Sequence, residues 1–178
     1  RRRVRPNAAT AAASRLDAAV AARDADALLE LFADDLEVTD HTTGIVFDRQ
    51  GALSSFGFLI TARNPTCLNE PLATLGDSLT LCRVSISASG VGRGKLDVGR
   101  YEKEEIHLNE VDAEGRRRRG EVFATHHLND AIARLYERYA ELLPDGAARA
   151  GAAVTARAVA VMILASFGAE DWAAVLAP

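Results

Sequence analysis

The chain has 178 residues, 48% of them hydrophobic, with a formal net charge of -4. That apolar share supports a real core, and the small negative balance gives no global signal for nucleic acid or a membrane surface. Two cysteines, Cys67 and Cys82, are too few for a disulfide framework and read as packed, reduced thiols of a cytoplasmic protein.

Residues 1–9 read as a linker, with Arg1, Arg2, Arg3 and Arg5 as a solvated basic tail. The first residue is not Met, as expected of a piece of a longer or processed protein. Thr10 to Arg23 predicts an Ala-rich helix with Leu16, Ala19 and Val20 on one stripe. Asp24 caps a second short helix ending near Phe32. Leu36 to His41 alternates as a strand, with Leu36, Val38 and Asp40 on one side and Glu37, Thr39 and His41 on the other. Thr42-Thr43-Gly44 turns the chain. Asp48 then starts a third helix that buries Leu53, Phe56, Leu59 and Ile60 and ends at Asn64-Pro65.

Strand signals resume at Leu68–Leu75 and Ser78–Ala88, and the Cys82, Val84 and Ile86 face of the second is expected to be covered. Residues 89–100 carry four glycines and read as a flexible hairpin loop; no helix follows their Gly-x-Gly, so it is not a phosphate cradle. Tyr101–Asp112 is a strand, and Glu114-Gly115 supplies a two-residue turn. That turn sets Glu110 opposite Arg119 and Ile106 opposite Phe123 and leaves Arg116–Arg119 as a solvated tip. After Thr125 the period becomes helical. Asn129 is the expected cap, and Ile132, Leu135, Tyr136 and Tyr139 follow at helical spacing, the first three expected to join Ile106, Leu108 and Phe123 in one core.

Segregation of helices from strands predicts an α+β fold: a curved antiparallel sheet wrapped around N-terminal helices. Here a resemblance enters. Ala22-Arg23-Asp24-Ala25-Asp26-Ala27-Leu28, Leu31-Phe32-Ala33-Asp34-Asp35-Leu36-Glu37-Val38 and Asp40-His41 resemble the SnoaL-like branch of the nuclear-transport-factor-2-like superfamily. So does Glu110–Arg116 with the helix that follows, in the manner of modules of large bacterial regulatory proteins. The resemblance covers residues 10–143 and implies a cone, or cystatin-like roll, whose mouth holds a ligand. Some members are cyclases, isomerases or dehydratases; others are binding or dimerisation modules.

Asp40 is the strand residue expected to enter the cone, where an apolar setting would fit it for acid–base work; capping the Thr42 turn is its alternative role. His41 points to the opposite face and is also a candidate ligand contact. Glu105, His107 and Asn109 form a polar stripe, expected to meet solvent or a dimer partner, or else to supply a Glu–His arrangement with His107 as acid/base. Arg83 is a candidate anchor for an anionic ligand, and Tyr101 a further ligand contact. His126-His127 lacks further ligands at metal spacing, so no metal and no cofactor are expected.

Pro144-Asp145-Gly146 breaks the helix, and residues 144–178 read as a helical segment with a second break at Gly168. Helix, break, helix repeats the opening of residues 10–34 at an offset of 144, as at the start of a second, truncated cone domain. Val154, Val161, Leu164 and Trp172 need cover there, which predicts a homodimer. The run Ala152–Phe167 contains Arg157 and reads as too short to span a membrane. The leading expectation is a non-catalytic module that binds a small hydrophobic ligand or mediates assembly. The alternatives are a cyclase- or isomerase-type enzyme using Asp40 or His107, and a purely structural dimerisation unit.

Overall fold

The computed structural model describes residues 4–89 and 100–175, with side chains as far as Ser166. The Gly-x-Gly reading and the Arg1–Arg3 tail lie outside the described residues. The chain forms two compact units, one ending at Leu128 and one starting at Asn129.

In the first unit α1 (Ala8–Ala22) starts two residues earlier than Thr10, because Asn7 caps it. The Asn7 side chain accepts from the Thr10 N–H, and the Thr10 hydroxyl accepts from the Asn7 N–H, a reciprocal box that satisfies two helix-end donors. The Asn7 amide also donates to the Gly76 and Leu79 carbonyls, which ties the expected linker to the sheet. Arg23, at φ 56, closes α1 in the left-handed region. Asp24 then caps α2 (Ala25–Leu31) and Asp48 caps α3 (Arg49–Thr61), as the sequence predicts.

Six strands form one sheet: β1 (Phe32–Asp40), β2 (Ile45–Asp48), β3 (Arg63–Leu75), β4 (Leu79–Ser89), β5 (Tyr101–Val111) and β6 (Arg117–Ala124). Their order is β2-β1-β6-β5-β4-β3. All neighbours are antiparallel except β1 and β6, which run parallel; the expected sheet was antiparallel throughout. β3 starts five residues before Leu68 and includes Pro65 and Pro71. It tolerates them because it is an edge strand and its register slips beside each proline. Asp17 on α1 clamps this edge: its carboxylate accepts from the Asn69 backbone N–H at 3.0 Å and side-chain amide at 2.6 Å.

The β5–β6 hairpin keeps the expected pairs, Ile106 opposite Phe123 and Glu110 opposite Arg119, but by a different route. Its loop is three residues, not two. Asp112 N–H donates to the Arg116 carbonyl, and Gly115 N–H, at φ 75, donates to the Asp112 carbonyl. A three-residue loop alone would slip every pair by one. A bulge at Arg118, between the pairs Val111–Arg117 and Glu110–Arg119, restores the register. It also reverses the side-chain alternation below it, so Arg117 falls on the same face as Gly120 and Val122. Arg117 is only 8% exposed. The solvated tip expected for Arg116–Arg119 is therefore corrected: Arg117 is inside the cone.

The inner sheet face packs on the helices through a core that includes Leu16, Val20, Leu28, Phe32, Cys82 and Val84. Both cysteines are buried and free; burial pushes the Cys67 thiol up to about 12. Residues 125–127 form a single 3-10 turn.

In the second unit, α4 (Leu128–Leu142) carries Glu141, which pairs with Arg134 and Arg138 at 2.8 Å each. Hydrogen bonds from Arg134, reinforced by Arg138, hold the Glu141 carboxyl at about 2. Arg149 donates back to the carbonyls of Ala140 and Glu141, closing the turn into α5 (Ala147–Val175). The expected break at Gly168 is absent, since α5 is one continuous helix. The stretch Ala147–Ser166 is long and apolar enough to cross a membrane by length and composition, because the helix starts five residues before the apolar run seen in sequence.

Candidate functional site

The space enclosed by α3 and the inner face of the sheet is a cavity of about 460 Å³, within the range that holds a small organic ligand. Its walls are mostly apolar. Phe56, Phe58 and Leu59 come from α3, which Asp48 starts and whose Leu59 turn packs toward the core. Phe32, Val38, Ile86, Ala88 and Val122 come from strands at alternate, inward positions.

Against this wall stand the acidic and basic side chains of Asp40, Lys103, Glu105, His107 and Arg117, with the hydroxyls of Ser55 and Tyr101 beside them. β5 supplies the middle three at alternate positions. Lys103 pairs with Glu105 at 2.7 Å, and Glu105 meets His107 Nε2 at 3.3 Å. Burial favours a neutral His107 and outweighs the attraction of Glu105, so the imidazole titrates below its ordinary 6.5. Burial alone would raise Glu105, but His107 and Lys103 outweigh it and hold the carboxyl below 4.5. At neutral pH Glu105 is thus an anion that accepts only. His107 then carries its proton on Nε2, and Nδ1 is the basic nitrogen.

Arg117 reaches the cavity because Gly120 lies over its side chain. A Cβ at Gly120 would stand 2.5 Å from Arg117 Nη2, and only glycine leaves that path open. Among the described residues Arg117 has no carboxylate partner, and its Nε is buried without a hydrogen bond. Burial lowers its pKa from 12.5 to about 10.

The structure brings together three of the residues singled out in sequence. Asp40, His107 and Tyr101 all line the cavity. Asp40 also caps its turn, accepting from the Thr42 N–H at 2.8 Å and hydroxyl at 2.6 Å. Burial would raise Asp40, but these bonds outweigh it and lower its pKa. The upward shift that an apolar setting would give an acid–base carboxyl does not occur at Asp40. Two other residues lie elsewhere. His41 is on the outer face, 3.1 Å from Glu121 and stacked on Phe123 at 4.5 Å. Arg83 is on the outer face of β4, within 3.4 Å of Glu70 and 4.0 Å of Glu104. The stripe Glu105, His107 and Asn109 is buried rather than turned to solvent. Sequence reasoning missed Lys103 and Arg117. Lys103 was legible from the period-2 pattern that places it beside Glu105 and His107, whereas Arg117 depended on the bulge. His126 and His127 sit in the 3-10 turn with rings 4.3 Å apart, and the described residues hold no cluster of three metal-ligating groups.

No protein-family profile matches the sequence, and no curated protein matches it. Solved structures do. The Mycobacterium tuberculosis protein RV0760c, in complex with estradiol-17beta-hemisuccinate, aligns over 66% of this chain and 93% of its own, at 18% identity and TM-score 0.52. A computationally designed 17-OHP binder aligns over 67% and 93%, at 15% identity and TM-score 0.54. IdmH from Streptomyces antibioticus aligns over 66% and 91%, at 19% identity and TM-score 0.53. At these identities the likeness establishes the fold alone: an α+β cone in which a curved sheet wraps around the N-terminal helices.

Proposed function

We propose that the chain binds a small, largely hydrophobic molecule in the cone, with the molecule's polar end against Lys103, Glu105, His107 and Arg117. The observation that carries this is the 460 Å³ cavity with an apolar wall and ionisable side chains on one side of it. Apolar burial supplies the affinity, and the few polar groups fix orientation. The estradiol-17beta-hemisuccinate bound by RV0760c and the 17-OHP of the designed binder support a steroid-sized molecule as the first probe. Calorimetric titration with 17-OHP tests it. One saturable site per chain is expected, lost when Ala88→Phe fills the wall; no binding, or binding indifferent to Ala88→Phe, overturns the reading.

A second reading is proton-transfer catalysis of the isomerase or cyclase kind, favoured by the His107–Glu105 contact. His107 Nδ1 would take a proton from carbon beside a ligand carbonyl, and Glu105 would stabilise the imidazolium. Deuterium uptake from solvent into bound 17-OHP, followed by mass spectrometry, separates the two readings. A binding module exchanges no faster than free ligand; a catalyst does, and His107→Gln abolishes it.

Assembly into a homodimer, as a module of a larger bacterial regulatory protein, is the remaining part of the proposal. Val154, Val161, Met162 and Leu164 on α5 are more than half exposed, an apolar surface that pairing of two chains would cover. Light scattering should give a dimer for the full chain and a monomer for a chain ending at Leu143; equal masses for both would contradict it.

A further inference from the structure

We propose that Arg117 is a receptor for a carboxylate, so that the cavity selects acids with an apolar body over neutral molecules of the same shape. This rests on the cone binding a small molecule and names the chemical class.

Four other acidic or basic side chains line the cavity, and each is already engaged or neutral. Glu105 is held by Lys103 and His107. Asp40 is held by Thr42. His107 is neutral at pH 7 because burial disfavours its charged form. Among the described residues that line the cavity, Arg117 is the charge with neither an ion-pair partner nor a side-chain hydrogen bond, although it is only 8% exposed. Lone buried cations are costly, and a fold keeps one where something else supplies the anion.

The site is also built for this group. Gly120 leaves open the path along which the guanidinium lies. Cys67 and Cys82 are the groups whose charges bear on Arg117, and with burial raising both thiols they stay neutral at pH 7. Arg117 also lines a side pocket of about 20 Å³ with Asn69 and Asn109, room for about one water and no source of negative charge. A guanidinium presents a planar fork of donors that matches the two oxygens of a carboxylate. A single cation favours a monoanion over a dianion such as a phosphate monoester.

The test compares estradiol with its 17β-hemisuccinate, which adds one free carboxylate to the same apolar body. The wild-type chain of 178 residues should bind the hemisuccinate at least tenfold tighter. Arg117→Met should bring the two ligands to equal affinity by weakening the hemisuccinate alone, and Arg117→Lys should keep part of the preference. Gly120→Ala is the second variant. Its new Cβ displaces the guanidinium without straining the backbone, and it should cut the preference while the fold persists. Equal affinity for both ligands in the wild type would overturn the inference and leave the binding site standing. So would a preference that survives Arg117→Met. Binding of neither ligand removes the binding reading and this inference with it.

Discussion

Replacing Arg117 by Met should make the fold more stable. Burial moves the Arg117 pKa from 12.5 to about 10. At about 1.4 kcal/mol per pH unit, that difference is a desolvation penalty of about 3 kcal/mol on the charged form. The sign follows from linkage. The folded state holds this proton less tightly than the unfolded state, so the penalty is complete at neutral pH and is relieved only as pH rises through about 10. Met matches much of the side chain's length, carries no charge and leaves no ion pair broken, so a gain of about 1–3 kcal/mol is expected. Urea denaturation of the full chain, followed by circular dichroism, reads it directly. With a slope of about 1–3 kcal/mol per molar, the midpoint should rise by roughly 1 M at unchanged slope. A midpoint that falls at unchanged slope would show that Arg117 stabilises the fold through a partner, and the reasoning above would be wrong. Stability rising while hemisuccinate affinity falls is the signature of a group kept for function.

Phe123→Ala removes a ring that is 7% exposed and stacked on His41, and should cost about 3–5 kcal/mol in the same urea assay. Parental stability would contradict the Ile106–Phe123 register. Asp40→Ala deletes the acceptor of two turn bonds and should cost about 1–2 kcal/mol near pH 7. Because the Asp40 pKa is lowered, its contribution is present above about pH 4 and lost in stronger acid, so variant and parent should converge there. His107 is held neutral by burial, and its unfolded form gains a proton near 6.5; stability should therefore fall as pH drops from 7 to 5. Urea midpoints of His107→Gln over that range should fall less than the parent's, while the Glu105 contribution is lost only below its ordinary 4.5.

Local signals carried much of the fold. Asp24 and Asp48 were readable as caps because Asp at those positions satisfies a helix-end N–H. The cross-strand pairs Ile106–Phe123 and Glu110–Arg119 were readable because charge and hydrophobicity both match in only one register. What failed depended on non-local or compensating geometry. The bulge at Arg118 offsets the extra loop residue and has no composition of its own, so the buried cation was read as surface. The parallel pairing of β1 with β6 joins strands about 80 residues apart and leaves no local trace. The polar stripe of β5 was left open between solvent, a dimer partner and a Glu–His arrangement, because period-2 alternation tells which residues share a face but not which face the cone encloses. The helix through Gly168 persists because one glycine in an Ala-rich run costs only about 1 kcal/mol.

A crystal structure of the full chain with estradiol-17β-hemisuccinate tests the central claim most directly. The account predicts the steroid body between Phe56 and Ile86 inside the cone, with its carboxylate on the Arg117 guanidinium. A ligand seated on α5 or on the outer face of the sheet, with the cone filled by its own side chains, would contradict it.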